Sequence, residues 1–126
     1  PGAIIAVSST LANRPAAGAT PYAASKAALV ALIQGLALEL APKGIRANVV
    51  LPGVVSTAMT EGGRGARDQE AQAQAFAALH PLGRVGLPEE VAHAVCGCLG
   101  NPWMTGAALA IDGGLLVGPV ESTPET

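Results

Sequence analysis

The feature that most constrains the fold of this chain is a set of short, largely apolar runs, each followed at once by residues that end a strand. The runs are Ala3–Val7, Ala47–Leu51 and Ala107–Ile111, and the residues after them read SST, PG and DGG. Apolar runs of this length, without polar alternation, are typical of strands buried on both faces of a parallel sheet. The sequence therefore predicts three such strands.

Helical patterns separate the predicted strands. Tyr22–Leu40 contains no proline, its apolar residues recur at helical spacing, and Pro21 and Pro42 flank it. A second helix is predicted from about Arg67 to Leu79, and a third from Pro88 to about Leu99, which opens with a proline and two acids. Strands that alternate with helices are joined by crossovers and run parallel. The predicted fold class is α/β, a doubly wound, Rossmann-like parallel sheet.

Composition narrows the functional classes. Half of the 126 residues are hydrophobic, 13% are charged and the net charge is −2. This length and apolar content suit one packed domain, and the scattered basic residues do not form the clustered footprint that nucleic acid requires. No apolar run reaches the roughly 18 residues that a bilayer-spanning helix needs, and no export signal opens the chain. We expect a cytoplasmic protein without a nucleic-acid or membrane partner.

The side chains that most often bind metals are isolated from one another. Cys96 and Cys98 are two residues apart in a helical pattern, so they point to different faces. We expect two buried thiols and neither a disulfide nor a metal site. His80 and His93 are both predicted to lie at the surface or its boundary. Trp103 and Phe76 are interpreted as packing residues rather than pocket residues.

Residues suited to a ligand site follow all three predicted strands. Ser9 comes after the first strand, Pro52-Gly53 after the second and Asp112-Gly113 after the third. In open α/β sheets the ligand site lies beyond the carboxyl ends of the strands. The sequence therefore predicts one crevice that collects these residues.

Tyr22 and Lys26 have the chemistry expected in such a crevice. They are four residues apart at the start of a predicted helix, so they share one face. A phenol is a poor acid–base group at neutral pH, but a nearby ammonium favours its ionised form. Ser9 precedes the tyrosine by thirteen residues and can hydrogen-bond the same substrate oxygen. The alternatives without a catalytic role are a turn-forming serine, a helix-start tyrosine and a solvated lysine. A bare YxxxK motif is also common by chance.

These residues belong to longer motifs, and through them the chain resembles the C-terminal half of a short-chain dehydrogenase/reductase. The motifs are GAIIAVSST from residue 2, TPYAASKAALVALIQGLALELAPKGIRANVVLPGVVSTAM from residue 20, RVGLPEEVA from residue 84 and MTGAALAIDGG from residue 104. The resemblance covers about residues 2–118. It implies an oxidoreductase that uses NAD or NADP to interconvert a ketone and a secondary alcohol. It also implies a homodimer or homotetramer. The ligand that it implies is a small-molecule carbonyl or alcohol substrate.

The resemblance assigns a catalytic role to three residues. Tyr22 would exchange a proton with the carbonyl or hydroxyl oxygen of the substrate. Ser9 would hold that oxygen and stabilise the charge that develops on it. Lys26 would hydrogen-bond the nicotinamide ribose and favour the ionised tyrosine. Tyr22 and Lys26 therefore also count as cofactor-binding residues.

The resemblance assigns the remaining cofactor contacts to the segment after the second strand. Its members are Pro52, Gly53, Val55 and Thr57, with the Val55 backbone and the Thr57 hydroxyl near the nicotinamide carboxamide. Asn48 and the motif DGG at residues 112–114 match family motifs that are interpreted as structural.

The chain also departs from the family pattern. The glycine-rich turn for the pyrophosphate, the residue that chooses between NAD and NADP, and an asparagine of the proton relay are absent from these residues. All three would lie before Pro1, so the chain by itself is expected to be inactive. Gly62–Gly65 is predicted to form a mobile lid, and residues from about 119 to 126 a flexible tail.

Two other functions compete with the oxidoreductase. One is a catalytically silent relative that serves as a binding or assembly protein, against which the intact Ser9, Tyr22 and Lys26 argue. The other is an epimerase or dehydratase of the related extended family, which also uses YxxxK. The closing IDGG motif and the short length after Tyr22 disfavour that reading.

Overall fold

The computed structural model describes residues 1–57 and 65–119. The predicted lid therefore lies outside the described residues except for Gly65, and the predicted tail lies outside them beyond Pro119. The α-helices and strands, in chain order, are β1 Gly2–Val7, α1 Thr20–Leu40, β2 Ile45–Pro52, α2 Ala66–Ala78, α3 Pro88–Gly100 and β3 Ala108–Ile111. Single 3₁₀ turns follow at Thr10–Ala12, Ala41–Lys43 and Leu115–Val117.

The three strands form one parallel sheet in the order β1-β2-β3. In this register Val7 is the partner of Val50, and Pro52 is the partner of Ile111. The predicted strands are confirmed, and β2 is three residues longer than predicted. It includes Pro52 at its carboxyl end, a position where a missing N–H is tolerated.

The centre of the structure is β2. Ala47, Asn48, Val49, Val50 and Leu51 are each at most 1% exposed. The core cluster joins Ala47, Val49 and Leu51 to two buried residues of α1, Ile33 and Ala37. Since side chains alternate across a strand, the even-numbered residues of β2 face the opposite side, where α3 contacts all three strands. Helices on both faces confirm the doubly wound arrangement.

Polar side chains fasten β2 to the connection between α3 and β3. The amide of Asn48, fully buried, donates to the Met104 carbonyl at 2.8 Å and accepts from the Ala107 N–H at 3.0 Å. Arg46 donates to the carbonyls of Cys98, Leu99 and Met104 at 2.8–3.0 Å, which satisfies carbonyls at the end of α3. The structural role predicted for Asn48 is confirmed.

The two cysteines differ in their surroundings. Cys98 is buried and Cys96 is exposed, although both belong to α3. The expectation of two buried thiols is therefore wrong for Cys96, which lies on the side of α3 that faces away from the sheet. Both thiols are free, so no disulfide links them.

Helix α1 buries only part of its apolar surface in the described residues. Leu32 and Leu38 are 57% and 80% exposed. By length and composition alone, Thr20–Lys43 is apolar enough to cross a membrane, so the expectation that no segment reaches that threshold is wrong. One such helix is weak support for a membrane span, because the core helix of a soluble protein passes the same test.

Glu90 caps the N-terminus of α3. Its Oε1 accepts from the Leu87 N–H at 3.0 Å, and the Arg84 guanidinium donates to both carboxylate oxygens at 2.6 and 2.8 Å. The hydrogen bonds from Arg84 and then from the Leu87 N–H lower the pKa of Glu90 to about 2 from its ordinary 4.5. The carboxylate form is therefore the one that the folded chain stabilises.

We predict that Glu90→Gln reduces thermal stability at pH 7, and that the deficit shrinks with acidification. Because the folded pKa is depressed, the contribution of Glu90 is complete above pH 4.5 and is lost as the pH falls towards about 2. Thermal unfolding of the full-length gene product at a series of pH values measures this difference. Glu89→Gln, which leaves the Arg84–Glu90 pair intact, should show a smaller and flatter difference. A Glu90→Gln deficit that is unchanged between pH 7 and 3.5 would contradict the assignment.

Candidate active site

The end of β1 is held in place by Ser8. Its N–H continues the sheet by donating to the Val50 carbonyl at 2.8 Å, and its hydroxyl donates to the Lys26 carbonyl at 2.8 Å. Ser8 is buried, and this second bond joins the end of β1 to the first turns of α1. The helix that carries Tyr22 and Lys26 is thereby fixed against the strand that carries Ser9.

Ser9 lies immediately beyond β1 with an extended backbone, and it caps the 3₁₀ turn Thr10–Ala12. Its Oγ accepts from the Leu11 N–H at 3.1 Å. A hydroxyl that accepts one hydrogen bond still carries its own hydrogen for donation to another oxygen. The cap therefore orients Ser9 and leaves it able to bind a substrate oxygen.

Tyr22 and Lys26 lie together on the first turns of α1, as their spacing predicts. The Lys26 Nζ is 5.5 Å from the centre of the Tyr22 ring and donates to the Val7 carbonyl at 3.4 Å. Tyr22 is 44% exposed in the described residues. An ammonium at this distance from a phenol interacts favourably with it.

The segment after β2 is attached on several sides through its backbone. The Gly53 N–H donates to the Ile111 carbonyl at 3.0 Å, which extends the pairing with β3 by one bond. Val54 accepts from the Gly86 N–H at 2.9 Å, and the Ser56 N–H donates to the Gly86 carbonyl at 3.0 Å. These two bonds form an isolated parallel bridge between Val55 and Gly86. The segment predicted to lie beside the cofactor therefore has a fixed course.

His80 is a residue near this site that sequence reasoning placed incorrectly. It is 4% exposed, so the expectation of a surface or boundary histidine is wrong. Its Nε2 accepts from the Val54 N–H at 3.1 Å, and its Nδ1 lies 2.7 Å from the Phe76 carbonyl. Both partners are backbone groups, which carry no sequence signal. His93, by contrast, is exposed as predicted.

The motif DGG lies directly after β3, at the same edge of the sheet as the site. The carboxylate of Asp112 accepts from the Gly114 N–H at 3.0 Å and from the Leu116 N–H at 2.9 Å, which holds the turn Leu115–Val117. Gly113 and Gly114 have φ angles of 56° and 91°. L side chains rarely adopt these angles, so the structural role predicted for this motif is confirmed.

A cavity of about 830 Å³ opens at the carboxyl edge of the sheet. Its walls include six of the seven predicted site residues, namely Ser9, Tyr22, Pro52, Gly53, Val55 and Thr57. Lys26, the seventh, adjoins the cavity through the Tyr22 ring. Most of the lining is apolar, and Arg14 is its one charged residue among those described. Of the residues that the predicted crevice was to collect, Ser9, Pro52 and Gly53 line this cavity, whereas Asp112 and Gly113 line a neighbouring pocket instead.

Further residues line this cavity that the sequence did not mark as functional. Phe76, which was expected to pack rather than to line a pocket, lines it together with Leu79 at the end of α2. Leu115 lines it from the turn after β3. Arg14 donates to the Leu115 carbonyl at 3.1 Å, which joins the loop after Ser9 to that turn. Trp103 is 95% exposed and lies near the amino end of β1, so the packing role expected for it is wrong. None of these positions belongs to a motif with a spacing that predicts it.

Comparison with known proteins agrees with the fold. A family model described as enoyl-(acyl carrier protein) reductase matches residues 1–116. Carbonyl reductase family member 4 of Xenopus tropicalis is 40% identical over 114 residues, which are 90% of this chain and 45% of that protein. The 3-oxoacyl-[acyl-carrier-protein] reductase of Homo sapiens is 41% identical over 114 residues, with the same coverage of both chains.

Solved structures are similar over the same region. The ligand-free aldohexose dehydrogenase of Thermoplasma acidophilum superposes with a TM-score of 0.86 at 33% identity, covering 98% of this chain and 51% of that one. A small-chain dehydrogenase in complex with NADPH superposes with a TM-score of 0.83 at 35% identity, covering 92% of this chain and 52% of that one.

A parallel α/β sheet with a serine, a tyrosine and a lysine at its carboxyl edge defines a class of nicotinamide-linked oxidoreductases, and the family match agrees with that class. The chain belongs to the short-chain dehydrogenase/reductase family. It spans about half the length of the curated relatives that it matches.

We predict that Gly53→Ala destabilises the protein and weakens binding at this cavity. A Cβ at position 53 would lie 2.8 Å from the His80 Nε2 and 3.1 Å from the Asp112 Cα, so either the ring or the backbone has to shift. Overpacking of this kind costs about 1–3 kcal/mol. Urea unfolding of the full-length gene product measures the change.

Gly97→Ala is the matched control for that substitution. Gly97 lies within α3, and a Cβ there meets nothing within 4 Å. Alanine also favours a helix interior over glycine by about 0.8–1 kcal/mol, so this variant should be as stable as the parent or more so. Equal stability of the Gly53→Ala and Gly97→Ala variants would contradict the close packing described at Gly53.

Proposed function

We propose that this chain supplies the catalytic half of a nicotinamide-dependent oxidoreductase, which interconverts a ketone and a secondary alcohol. The observation that carries the proposal is one cavity lined by Ser9, Tyr22 and the segment from Pro52 to Thr57, with the Lys26 ammonium beside the tyrosine ring. The names of the relatives, a carbonyl reductase and a 3-oxoacyl reductase, support a carbonyl substrate. The activity would belong to the complete protein.

The residues at the cavity fit a nicotinamide ring and its ribose. The apolar walls suit the ring, and the ammonium of Lys26 and the hydroxyls of Tyr22 and Thr57 suit ribose and carboxamide groups. When bound there, NAD or NADP would accept or supply the hydride. The NADPH complex of a structural relative supports this choice of cofactor class. Within the class, we propose no preference between NAD and NADP.

The residues of this chain would then divide the remaining work. Ser9, oriented by its Leu11 contact, would donate its hydroxyl hydrogen to the substrate oxygen. Tyr22 would pass its phenolic proton to that oxygen during reduction and take it back during oxidation. Lys26, close to the Tyr22 ring, would stabilise the phenolate that remains and would contact the ribose. The largely apolar walls would exclude water from the reacting atoms.

We predict that Tyr22→Phe in the full-length gene product reduces kcat on a ketone substrate by roughly 10²–10⁴-fold, as expected for the loss of a general acid. Cofactor affinity should stay within a few-fold, because the ring and the Lys26 contact are retained. Steady-state kinetics and calorimetric titration of NADPH and NADH measure the two effects. Near-normal turnover would refute the assignment. Turnover of a sugar epimer in the parent protein, without net oxidation, would favour the epimerase alternative.

Ser8 and Ser9 offer a matched pair within the same experiment. Ser9→Ala removes the hydroxyl that lines the cavity, and we expect it to reduce turnover with a small loss of stability. Ser8→Ala removes the buried bond to the Lys26 carbonyl, and we expect a loss of stability of about 1–3 kcal/mol. If Ser9→Ala left turnover unchanged, Ser9 would be only a cap.

We propose further that the complete protein is a homodimer or homotetramer that associates through α1. A helix that is apolar nearly all round needs cover on more than one side, and Leu32 and Leu38 are uncovered in the described residues. Sedimentation of the full-length gene product at micromolar concentration should therefore show no monomer. A monomer under those conditions, with α1 intact, would contradict the proposal.

We propose also that residues 1–126 are inactive without a complementary half. In the described residues β1 pairs with β2 alone, so its other edge carries unpaired backbone groups that favour aggregation. The sequence holds no glycine-rich turn of the kind that binds a pyrophosphate. A complementary half would pair the free edge of β1 and would supply the glycine-rich turn.

A further inference from the structure

His80 lies between two walls of the cavity. On one side, Phe76 and Leu79 at the end of α2 line the cavity, and His80 follows them directly. On the other side is Val54 in the segment proposed to bind the cofactor. The His80 N–H donates to the Ala77 carbonyl at 3.1 Å, and its carbonyl accepts from the Gly83 N–H at 2.7 Å. The backbone of His80 is therefore fixed, and its ring bridges from that position to Val54.

The two ring nitrogens of His80 have different tasks. A backbone N–H can only donate and a carbonyl can only accept. Nε2, at 3.1 Å from the Val54 nitrogen, must therefore carry no hydrogen, while Nδ1, at 2.7 Å from the Phe76 carbonyl, must carry one. The second bond thus sets the tautomer that the first bond needs. When one ring nitrogen of a histidine donates to a carbonyl, the other nitrogen is left as an acceptor, and here that acceptor holds the Val54 N–H.

The space around the ring leaves it little freedom. A Cβ at Gly53 would lie 2.8 Å from Nε2, and a Cβ at Gly113 would lie 3.4 Å from the His80 Cβ. Glycines at the ends of β2 and β3 therefore make the room that the ring occupies. Without the ring, the Val54 N–H would lose the acceptor of this part-buried hydrogen bond.

We propose that His80 is a positioning residue, which holds the Val54 N–H and thereby sets the course of the segment that contacts the nicotinamide. This inference rests on the proposed function only for the identity of the ligand. It makes the end of α2, which lines the same cavity, a support for the segment proposed to bind the cofactor. His80 is not among the described residues that line the cavity.

Two substitutions separate the Val54 contact from simple packing. The amide oxygen of His80→Gln can occupy the place of Nε2 and accept from the Val54 N–H. The amide nitrogen of His80→Asn can occupy the place of Nδ1 and donate to the Phe76 carbonyl, but the side chain is too short to reach Val54. Both variants are polar, and each retains one of the two bonds.

The first readout is amide hydrogen exchange of the full-length gene product without cofactor. Val54 should exchange roughly 5–10-fold faster in His80→Asn, and within about twofold of the parent in His80→Gln, because one lost bond of about 1 kcal/mol corresponds to such a factor. The Ser8 N–H, which donates to Val50 elsewhere in the sheet, is the internal control and should not change.

The second readout is the split between KM and kcat. His80→Asn should raise the KM for the cofactor by about 5–10-fold with kcat within about threefold, and His80→Gln should restore the KM. Equal effects of the two variants on Val54 exchange and on KM would overturn the proposal and reduce His80 to a packing residue. The amide exchange rate of Val54 could differ between the two variants as expected while the parent protein binds neither NADH nor NADPH. In that case the positioning role stands and the proposed function fails.

Discussion

Parallel pairing of β2 with a strand on each side is the constraint on which the rest of this structure depends. Five consecutive residues of β2 are buried almost completely, and both helices that pack on the sheet contact this strand. Since all three strands run in one direction, their carboxyl ends meet at one edge. The site is a consequence of that geometry: Ser9, the segment after Pro52 and the turn at Asp112 come together because their strands end side by side.

The alignment of these ends is maintained by polar groups at both edges of the sheet. At the amino side, Arg46 and Asn48 tie β2 to the chain that enters β3. At the carboxyl side, Ser8 joins β1 to α1, and His80 joins α2 to Val54. Buried polar groups that are fully hydrogen-bonded specify one arrangement, because any other leaves a donor or acceptor unpaired. The same bonds that specify the fold therefore place Tyr22 and Ser9 on one cavity.

The apolar patterns predicted most of the fold, and local spacing predicted the residues proposed to be catalytic. The runs of valine, isoleucine and leucine located β1 and β2 because a strand buried on both faces has no polar alternation, and Tyr22 and Lys26 share a helix face by their spacing alone. His80 escaped prediction because its partners are the backbone groups of Val54 and Phe76, of which one is 26 residues away. The isolated bridge between Val55 and Gly86 escaped for the same reason.

The exposure of residues on the outer surfaces also could not be predicted from the sequence. Trp103 is apolar in character yet 95% exposed, and α1 leaves Leu38 uncovered, since a residue pattern does not say what else packs against a helix. The cysteines show the same limit, because Cys96 and Cys98 were correctly assigned to different faces while their burial depends on which face meets the sheet.

The central claim is that the carboxyl edge of this sheet is a single site, in which the cofactor segment and the catalytic hydroxyls face the same ligand. A crystal structure of the full-length gene product with a nicotinamide cofactor and a ketone-bearing inhibitor tests it most directly. The account predicts that the Ser9 Oγ and the Tyr22 Oη both lie about 2.6–3.2 Å from the ketone oxygen, with the nicotinamide against the segment from Gly53 to Thr57. A cofactor and inhibitor bound elsewhere on the sheet, with both hydroxyls facing solvent, would contradict it.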